Sequence, residues 1–406
     1  MKKLLVILGM LLVVTGCGKT TESDIVKEFS NTVDKSKSYK INGTMEISND
    51  EEKFIYNLET YYMKDIYYKV ILVNQTNNHE QIILKNKNDV YVITPELNKS
   101  FKFQSEWPDN SSQSYLLKSI KEDLMSDKNV KLIESDNSYV IKSKVNYPNN
   151  QELVEQKVYF DKQIKLKKVE VLDKNGIVKI KVTFNKIDLK ANLSEKDFDI
   201  KEYIDKLEDN NCIDNNCDKK NNTNNDKSKQ ENKNKEEINT NNQDSEKNNS
   251  NMSENGNTAN NQNTTNNNQT NNNTTNNTNN TNNNEKTSSY NLDSVIYPLY
   301  IPGETHLTNS ETIKTNEGNR TILTFTGEKN FVIIEEMSKS EPSMKIVPVY
   351  GEPLLLPNAI AALTGNSLTW DSNNVSYYLA STDLSTEEML TIAKSLGNTT
   401  LVSKEK

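Results

Sequence analysis

The side chains best suited to covalent chemistry are three cysteines. Cys17 follows Val14-Thr15-Gly16 and an apolar run over residues 4–14, itself preceded by Lys2 and Lys3. A run of roughly ten residues suits the core of an export signal and falls short of the ~20 that a spanning helix needs. Small Thr15 and Gly16 admit a peptidase, after which the Cys17 thiol stands at a new N-terminus, open to diacylglycerol. An ordinary secretory signal with a chance cysteine is the competing reading, and the scarcity of cysteine in this chain speaks against it. Cys212 and Cys217 bracket Ile213-Asp214-Asn215-Asn216. Outside the cytoplasm such a pair can close a small disulfide loop, and two idle thiols are the alternative. A metal would need further ligands, and His79 and His306 lie far off in sequence.

Other chemistry is excluded residue by residue. No Gly-x-Ser-x-Gly elbow is present to activate a serine. Gly18-Lys19-Thr20 has the ending of a phosphate loop, but an export signal precedes it instead of a strand. His79 and His306 read as solvated loop residues. The pairs Glu335-Glu336 and Glu387-Glu388 read as solvated or helix-dipole charges. The chain is therefore expected not to be an enzyme and to need no metal or cofactor. Its net charge of −8 is spread over mixed Lys, Asp and Glu without basic blocks. That excludes nucleic acid, whose phosphates require clustered cations. Arg320 is the sole arginine, and Asn and Lys abound, the usage of an AT-rich, low-GC Gram-positive genome.

The 406 residues divide by composition into patterned and unpatterned zones. The expected plan is a signal peptide (1–16), a short tether (17–23), a first domain (24–207), a disordered Asn/Thr/Lys-rich linker (208–288) and a C-terminal α+β domain (289–400). The linker has too few apolar side chains to offset chain entropy. The first domain opens with an amphipathic helix capped by Ser23 or Asp24, with Ile25, Val26, Phe29 and Val33 on one face. Tyr39, Ile41, Met45 and Ile47 then alternate with polar residues, and strands follow at 61–73, 81–85, 90–94, 131–134, 139–145, 155–160 and 165–172. A second helix is expected at 111–125. Asp173-Lys174-Asn175-Gly176 is a hairpin turn whose return strand carries Val178, Ile180, Val182 and Phe184 on one face. Such a sheet of about ten strands, apolar on one face and wet on the other, curls under its helices. In the C-terminal zone, strands are expected at 321–325, 331–336, 367–370 and 376–380. The last helix is capped by Ser385 with Glu388 and ends at Gly397.

Val14-Thr15-Gly16-Cys17 resembles the lipobox of bacterial lipoproteins. The resemblance implies diacylglycerol and palmitate on Cys17, two or three acyl chains holding the protein to the outer face of the cell membrane. The stretch Asp89-Val90-Tyr91-Val92-Ile93-Thr94-Pro95 through Lys99 resembles LolA-like lipoprotein carriers. Val158 to Asp161, Lys168 to Val171, the hairpin to Phe184 and Asp197-Phe198 are similar to the end of that fold. The wider superfamily takes in RseB-type regulators and GerS-type lipoproteins of sporulation and germination. The resemblance implies a strongly curved, half-open antiparallel sheet with a helical lid. Leu368-Thr369-Trp370, Tyr377-Tyr378-Leu379 and residues 384–396 resemble a module of Firmicute lipoproteins.

What that implies for function is non-catalytic capture of a protein partner, a cell-wall hydrolase or a sigma-factor regulator, in sporulation, germination or envelope signalling. The alternative is a carrier of lipid or lipoprotein acyl chains in a LolA-like groove. Tyr56, Tyr91, Trp107, Tyr115 and Leu116 are the candidate groove and lid residues, with β-propensity and core packing the plainer reading of such aromatics. A dry aliphatic cavity favours the carrier, whereas a groove plugged by the protein's own side chains favours the regulator.

Overall fold

The computed structural model describes residues 19–204 and 292–396, apart from 50–51, 65, 88, 136, 293 and 317. The signal peptide, Cys17, Cys212, Cys217, the 208–288 linker and Gly397 lie outside the described residues.

Helix α1 (Glu22–Lys35) starts earlier than its apolar periodicity suggested, because Thr21 is the cap and Asp24 is the third helical residue. Thr21 N donates to Asp24 Oδ2 at 3.0 Å and Asp24 N donates to Thr21 Oγ1 at 3.2 Å, a reciprocal box that satisfies two free donors. Strands β1 (Ser38–Ser48), β2 (Lys53–Met63), β3 (Tyr67–Asn74), β4 (Glu80–Lys85), β5 (Val90–Thr94) and β6 (Lys99–Phe103) form a meander. The strand expected over 61–73 is two strands, because Lys64 takes a left-handed conformation (φ 57°) and turns the chain. Helix α2 (Leu117–Ser126) is shorter than expected. Residues 111–116 stay irregular because serine and glutamine side chains compete for their backbone: Gln113 N donates to Ser119 Oγ at 2.8 Å. Strands β7 (Lys131–Ser135), β8 (Ser138–Lys144), β9 (Leu153–Asp161), β10 (Leu166–Asp173) and β11 (Val178–Asp188) complete the first part.

The C-terminal part contributes β12 (Thr305–Thr315), β13 (Gly318–Gly327), β14 (Phe331–Met337), β15 (Lys345–Val349), β16 (Glu352–Leu355), β17 (Ile360–Leu363), β18 (Ser367–Ser372) and β19 (Val375–Ala380), then helix α3 (Thr386–Leu396). Seven of these strands form a second antiparallel sheet in the order β12-β13-β14-β19-β18-β17-β16. The eighth, β15, leaves it and pairs in parallel with β6. The first sheet is thereby twelve strands in the order β15-β6-β5-β4-β3-β2-β1-β11-β10-β9-β8-β7, and it is open, with β15 and β7 as its edges. The half-open antiparallel sheet with few helices is as expected, and the parallel strand at its edge is an addition.

The largest core lies between the helices and the first sheet. Ile25, Phe29 and Val33 of α1 and Leu117, Ile120 and Leu124 of α2 meet the inward residues of β1, β9, β10 and β11. Tyr39 stacks on Tyr62 (4.6 Å between ring centroids), Tyr62 meets Tyr68 (5.2 Å), and Tyr68 meets the edge of Trp107 (5.9 Å). The opposite face is not uniformly wet. Met63, Tyr67, Ile82, Leu84, Tyr91 and Ile93 are covered there by Phe198, with Leu193, Ile200 and Tyr203 alongside. This is why β3, β4 and β5 are buried on both faces where a simple alternation was expected. A third core joins the second sheet to α3 through Trp370, Tyr377, Met389 and Ile392.

The two sheets are fastened by more than β15. Val349, Ile360 and Ala362 enter the large core of the first sheet. Asn98 Nδ2 donates to Glu341 O (2.5 Å), Ile360 N donates to Gln81 Oε1 (2.7 Å), and the Lys99 ammonium sits 2.9 Å from the buried Asp371 carboxylate. Between β15 and β16 the chain crosses at Gly351, where a Cβ would fall 1.8 Å from Leu363 O, a backbone atom that cannot swing away. Gly351→Ala is expected to cost about 1–3 kcal/mol through forced backbone movement, read as a lowered melting temperature. An unchanged melt would mean the crossing is looser than its geometry.

Candidate functional site

A cavity of about 380 Å³ opens where the two sheets meet. One wall is the helix-bearing face of the first sheet, represented by Ile47, Ile83 and Ile180; another is the chain from Glu352 to Ile360; α3 contributes Thr391, Lys394 and Ser395. Leu299 and Tyr300 stand at it with 66% and 40% of their surfaces exposed. The remaining wall is two loops, residues 105–116 and 146–153. They are tied to each other, since Ser112 N donates to Asn146 O (2.7 Å) and Asn146 N donates to Ser112 Oγ (2.8 Å).

The tie is anchored on Asp123 of α2, which accepts from Ser112 Oγ (2.7 Å) and Gln156 Nε2 (3.2 Å). Burial pushes the Asp123 carboxyl up to about 7, against the lowering effect of Ser112. Glu352 crosses the seam to accept from Ser105 Oγ and from Asn110 Nδ2 (2.7 Å). Lys394 of α3 reaches Glu152 at 3.1 Å. Lys85 donates to Trp107 O, and burial lowers its pKa while Asp109 opposes that shift. Hydroxyl and amide side chains, including Asn110, Ser111, Gln113, Asn149 and Asn150, make up most of the polar lining.

Trp107 and Tyr115 line this cavity, with Tyr115 Oη donating to Gln113 Oε1 at 2.5 Å. Tyr56 stands behind it and donates to Pro357 O at 2.6 Å. Burial raises the pKa of Tyr56 and of Tyr115. Leu116 caps the start of α2 and is wholly buried in the core. Tyr91 does not join them. Val90 and Val92 point to the helices, so Tyr91, one residue out of phase, faces the opposite side beside Phe198. Sequence reasoning missed Asn110, Asn150, Leu299, Tyr300, Glu352 and Lys394. Only Leu299-Tyr300 carried a signal, as apolar residues between Pro298 and Pro302.

Three other readings of single residues change. His79 is not isolated: its Nδ1 lies 2.5 Å from Glu96 Oε2, because His79 just precedes β4 and Glu96 just follows β5, its antiparallel partner. His306 belongs to strand β12 and not to a loop. Glu335 is wholly buried, because it continues the inward series Phe331, Ile333, Glu335 of β14. Ile296 N donates to Glu335 Oε2 at 3.0 Å, and burial pushes the carboxyl up to about 7. Among the described residues, no group of three or more His, Cys, Asp or Glu side chains is placed to hold a metal, and no helix is long and apolar enough to cross a membrane.

Residues 1–198 match the family model described as sporulation protein YdcC-like. Over 397 residues the chain is 30% identical to the sporulation protein YdcC of Bacillus subtilis (strain 168), covering 97% of this chain and 96% of that one. The chain belongs to the sporulation protein YdcC-like family. The match to the Bacillus protein runs through both sheets, so the seam and its cavity fall inside the region this YdcC-like chain shares with it. Among solved structures, the complex of MucA and MucB from Pseudomonas aeruginosa aligns at 10% identity and TM-score 0.29, covering 92% of this chain and 97% of that one. The CwlD amidase of Clostridioides difficile in complex with the GerS lipoprotein aligns at 16% identity and TM-score 0.26, covering 42% and 98%. Scores at that level carry no functional weight.

Proposed function

We propose that this YdcC-like protein is a lipoprotein, held through Cys17 on the outer face of the cell membrane, that binds a protein partner during sporulation without catalysing a reaction. A cell-wall hydrolase or a regulator of a sigma factor is the class of partner that suits this place. The observation carrying the proposal is the state of the sheet's helix-bearing face. Tyr39, Tyr62, Tyr68, Trp107 and Tyr115, all at most 6% exposed, pack into the core beneath the helices, so much of that face is taken up by the chain's own side chains. The cavity that persists is lined by apolar and polar side chains together and is edged by exposed Leu299 and Tyr300. Apolar side chains displayed on a rigid frame suit a protein interface, where a few buried anchors dominate affinity. The sporulation family and the lipobox supply the setting.

The test is crosslinked capture of the full chain from its own host, in growing and in sporulating cells. One protein recovered in equal amount with the chain is expected from sporulating cells. It should be lost in Leu299→Asp and Tyr300→Asp, and Cys17→Ala should leave the membrane fraction. Equimolar lipid with no consistent protein would sink the proposal and make the chain an acyl carrier.

A further inference from the structure

The geometry points to the cavity between the two sheets as a binding site for a small organic cation, an ammonium group carried on an apolar body. The site is separate from the exposed rim that would meet a protein partner. Its walls are chiefly apolar. Ile83 and Ile180 come from the first sheet, Leu354 and Leu355 from the chain that crosses above it, and Trp107 and Tyr147 add ring surface. The volume of about 380 Å³ lies at the small end of the ~300–1,000 Å³ typical of small-molecule sites. Such walls hold an apolar body by removing it from water.

Four charged side chains also line the cavity: Glu152, Lys179, Glu352 and Lys394. Lys394 lies 3.1 Å from Glu152, and Lys179 lies 3.8 Å from Asp173. Glu352 is the charge left over, for it makes no ion pair among the described residues. Ser105 Oγ and Asn110 Nδ2, both neutral, donate to the same oxygen, Oε2. Its Oε1 accepts from no described residue and, unlike Asn110 Oδ1, is not sealed away from solvent. Lys85 feels the Glu352 charge, but its ammonium is spent on Trp107 O. An open carboxylate oxygen on an apolar wall binds most strongly a donor that is itself charged. A fatty acid or a phospholipid would bring a second negative charge to Glu352. An uncharged chain would strip water from the carboxylate and give nothing back. An ammonium on an apolar body satisfies the wall and the carboxylate together.

The full chain should be titrated by calorimetry with n-octylamine, n-octanol and octanoate, probes of one chain length that differ in the charge of the head. Octylammonium is expected to saturate a single site, octanol to bind about tenfold more weakly, and octanoate not to bind. Glu352→Gln keeps an acceptor for Ser105 and Asn110 and removes the charge. It should lower the affinity for octylammonium about tenfold and leave that for octanol unchanged. Glu336→Gln removes an equal charge from β14, outside the cavity lining, and should change neither. Thermal melts confirm that each variant is folded. No saturable binding of octylamine by the unaltered chain at millimolar probe overturns the inference. So does equal affinity for octylamine and octanol, which would make the cavity a purely apolar one, or octylammonium binding that Glu352→Gln retains in full.

Discussion

Lys99→Ala should lower the free energy of unfolding by about 3 kcal/mol, a shift of the urea midpoint that is easily measured. Lys99 belongs to β6 of the first sheet and Asp371 to β18 of the second, with the Lys99 ammonium 2.9 Å and 3.2 Å from the two carboxylate oxygens. The Asp371 side chain is only 3% exposed. Removing the lysine therefore leaves a negative charge in a place water does not reach, held only by the hydroxyls of Ser338 and Ser376. That stranding, more than the loss of an attraction, sets the size of the effect. The double variant Lys99→Ala with Asp371→Asn should recover part of the loss, because no unpaired charge remains. A single-variant loss within about 0.5 kcal/mol, the level of an exposed pair, would mean the two sheets are not held together at this point.

The second large effect is a pH dependence with a defined sign. Glu335 has its carboxyl pushed from 4.5 up to about 7, chiefly by burial, and a single backbone N–H from Ile296 opposes the shift. The folded state thus holds a proton that the unfolded chain releases from about pH 4.5 upward. Its contribution to stability is complete below that pH and is lost as pH rises through about 7. The loss amounts to roughly 3 kcal/mol. Glu335→Gln keeps an acceptor for Ile296 N–H and carries no charge. Unfolding free energies measured from pH 4 to 8 should fall steeply for the unaltered chain and less for the variant, which should be the more stable at pH 8. Some slope will persist, because Asp123 is shifted in the same direction for the same reason. Parallel curves for the two proteins would sink this account.

Much of the architecture could be read from alternation. Tyr39, Ile41, Met45 and Ile47 point inward as a period of two requires, and Ser385 and Glu388 cap α3 reciprocally, with Ser385 N to Glu388 Oε2 at 2.7 Å. What alternation does not reveal is which faces are covered, and by what. Tyr91 has the same pattern on either face, and only the position of Phe198, over a hundred residues later, decides that its side is a small core. Strand β15 was illegible for a related reason. Lys345-Ile346-Val347-Pro348-Val349 is short and contains a proline, and its partner β6 lies far upstream, so nothing local marks it. The cavity followed suit. Trp107 and Tyr115 were visible as aromatics near a helix, whereas Asn110 and Asn150 are ordinary loop asparagines until a second sheet closes over them.

The pairing of β6 with β15 also fixes a sequence of events in time. Asn98 and Glu341, which are hydrogen-bonded beside that pairing, are 243 positions apart in the chain. The chain emerges with its N-terminus first, so an interval separates the appearance of β6 from that of its partner. Throughout that interval Phe101 and Phe103 sit on a strand with one open edge, the arrangement most prone to pair with the wrong neighbour. The last quarter of the chain therefore acts on the first quarter as a belated guard. A protein truncated before residue 345 would carry its hazard permanently, aggregating through β6 even though the rest of its first sheet is complete.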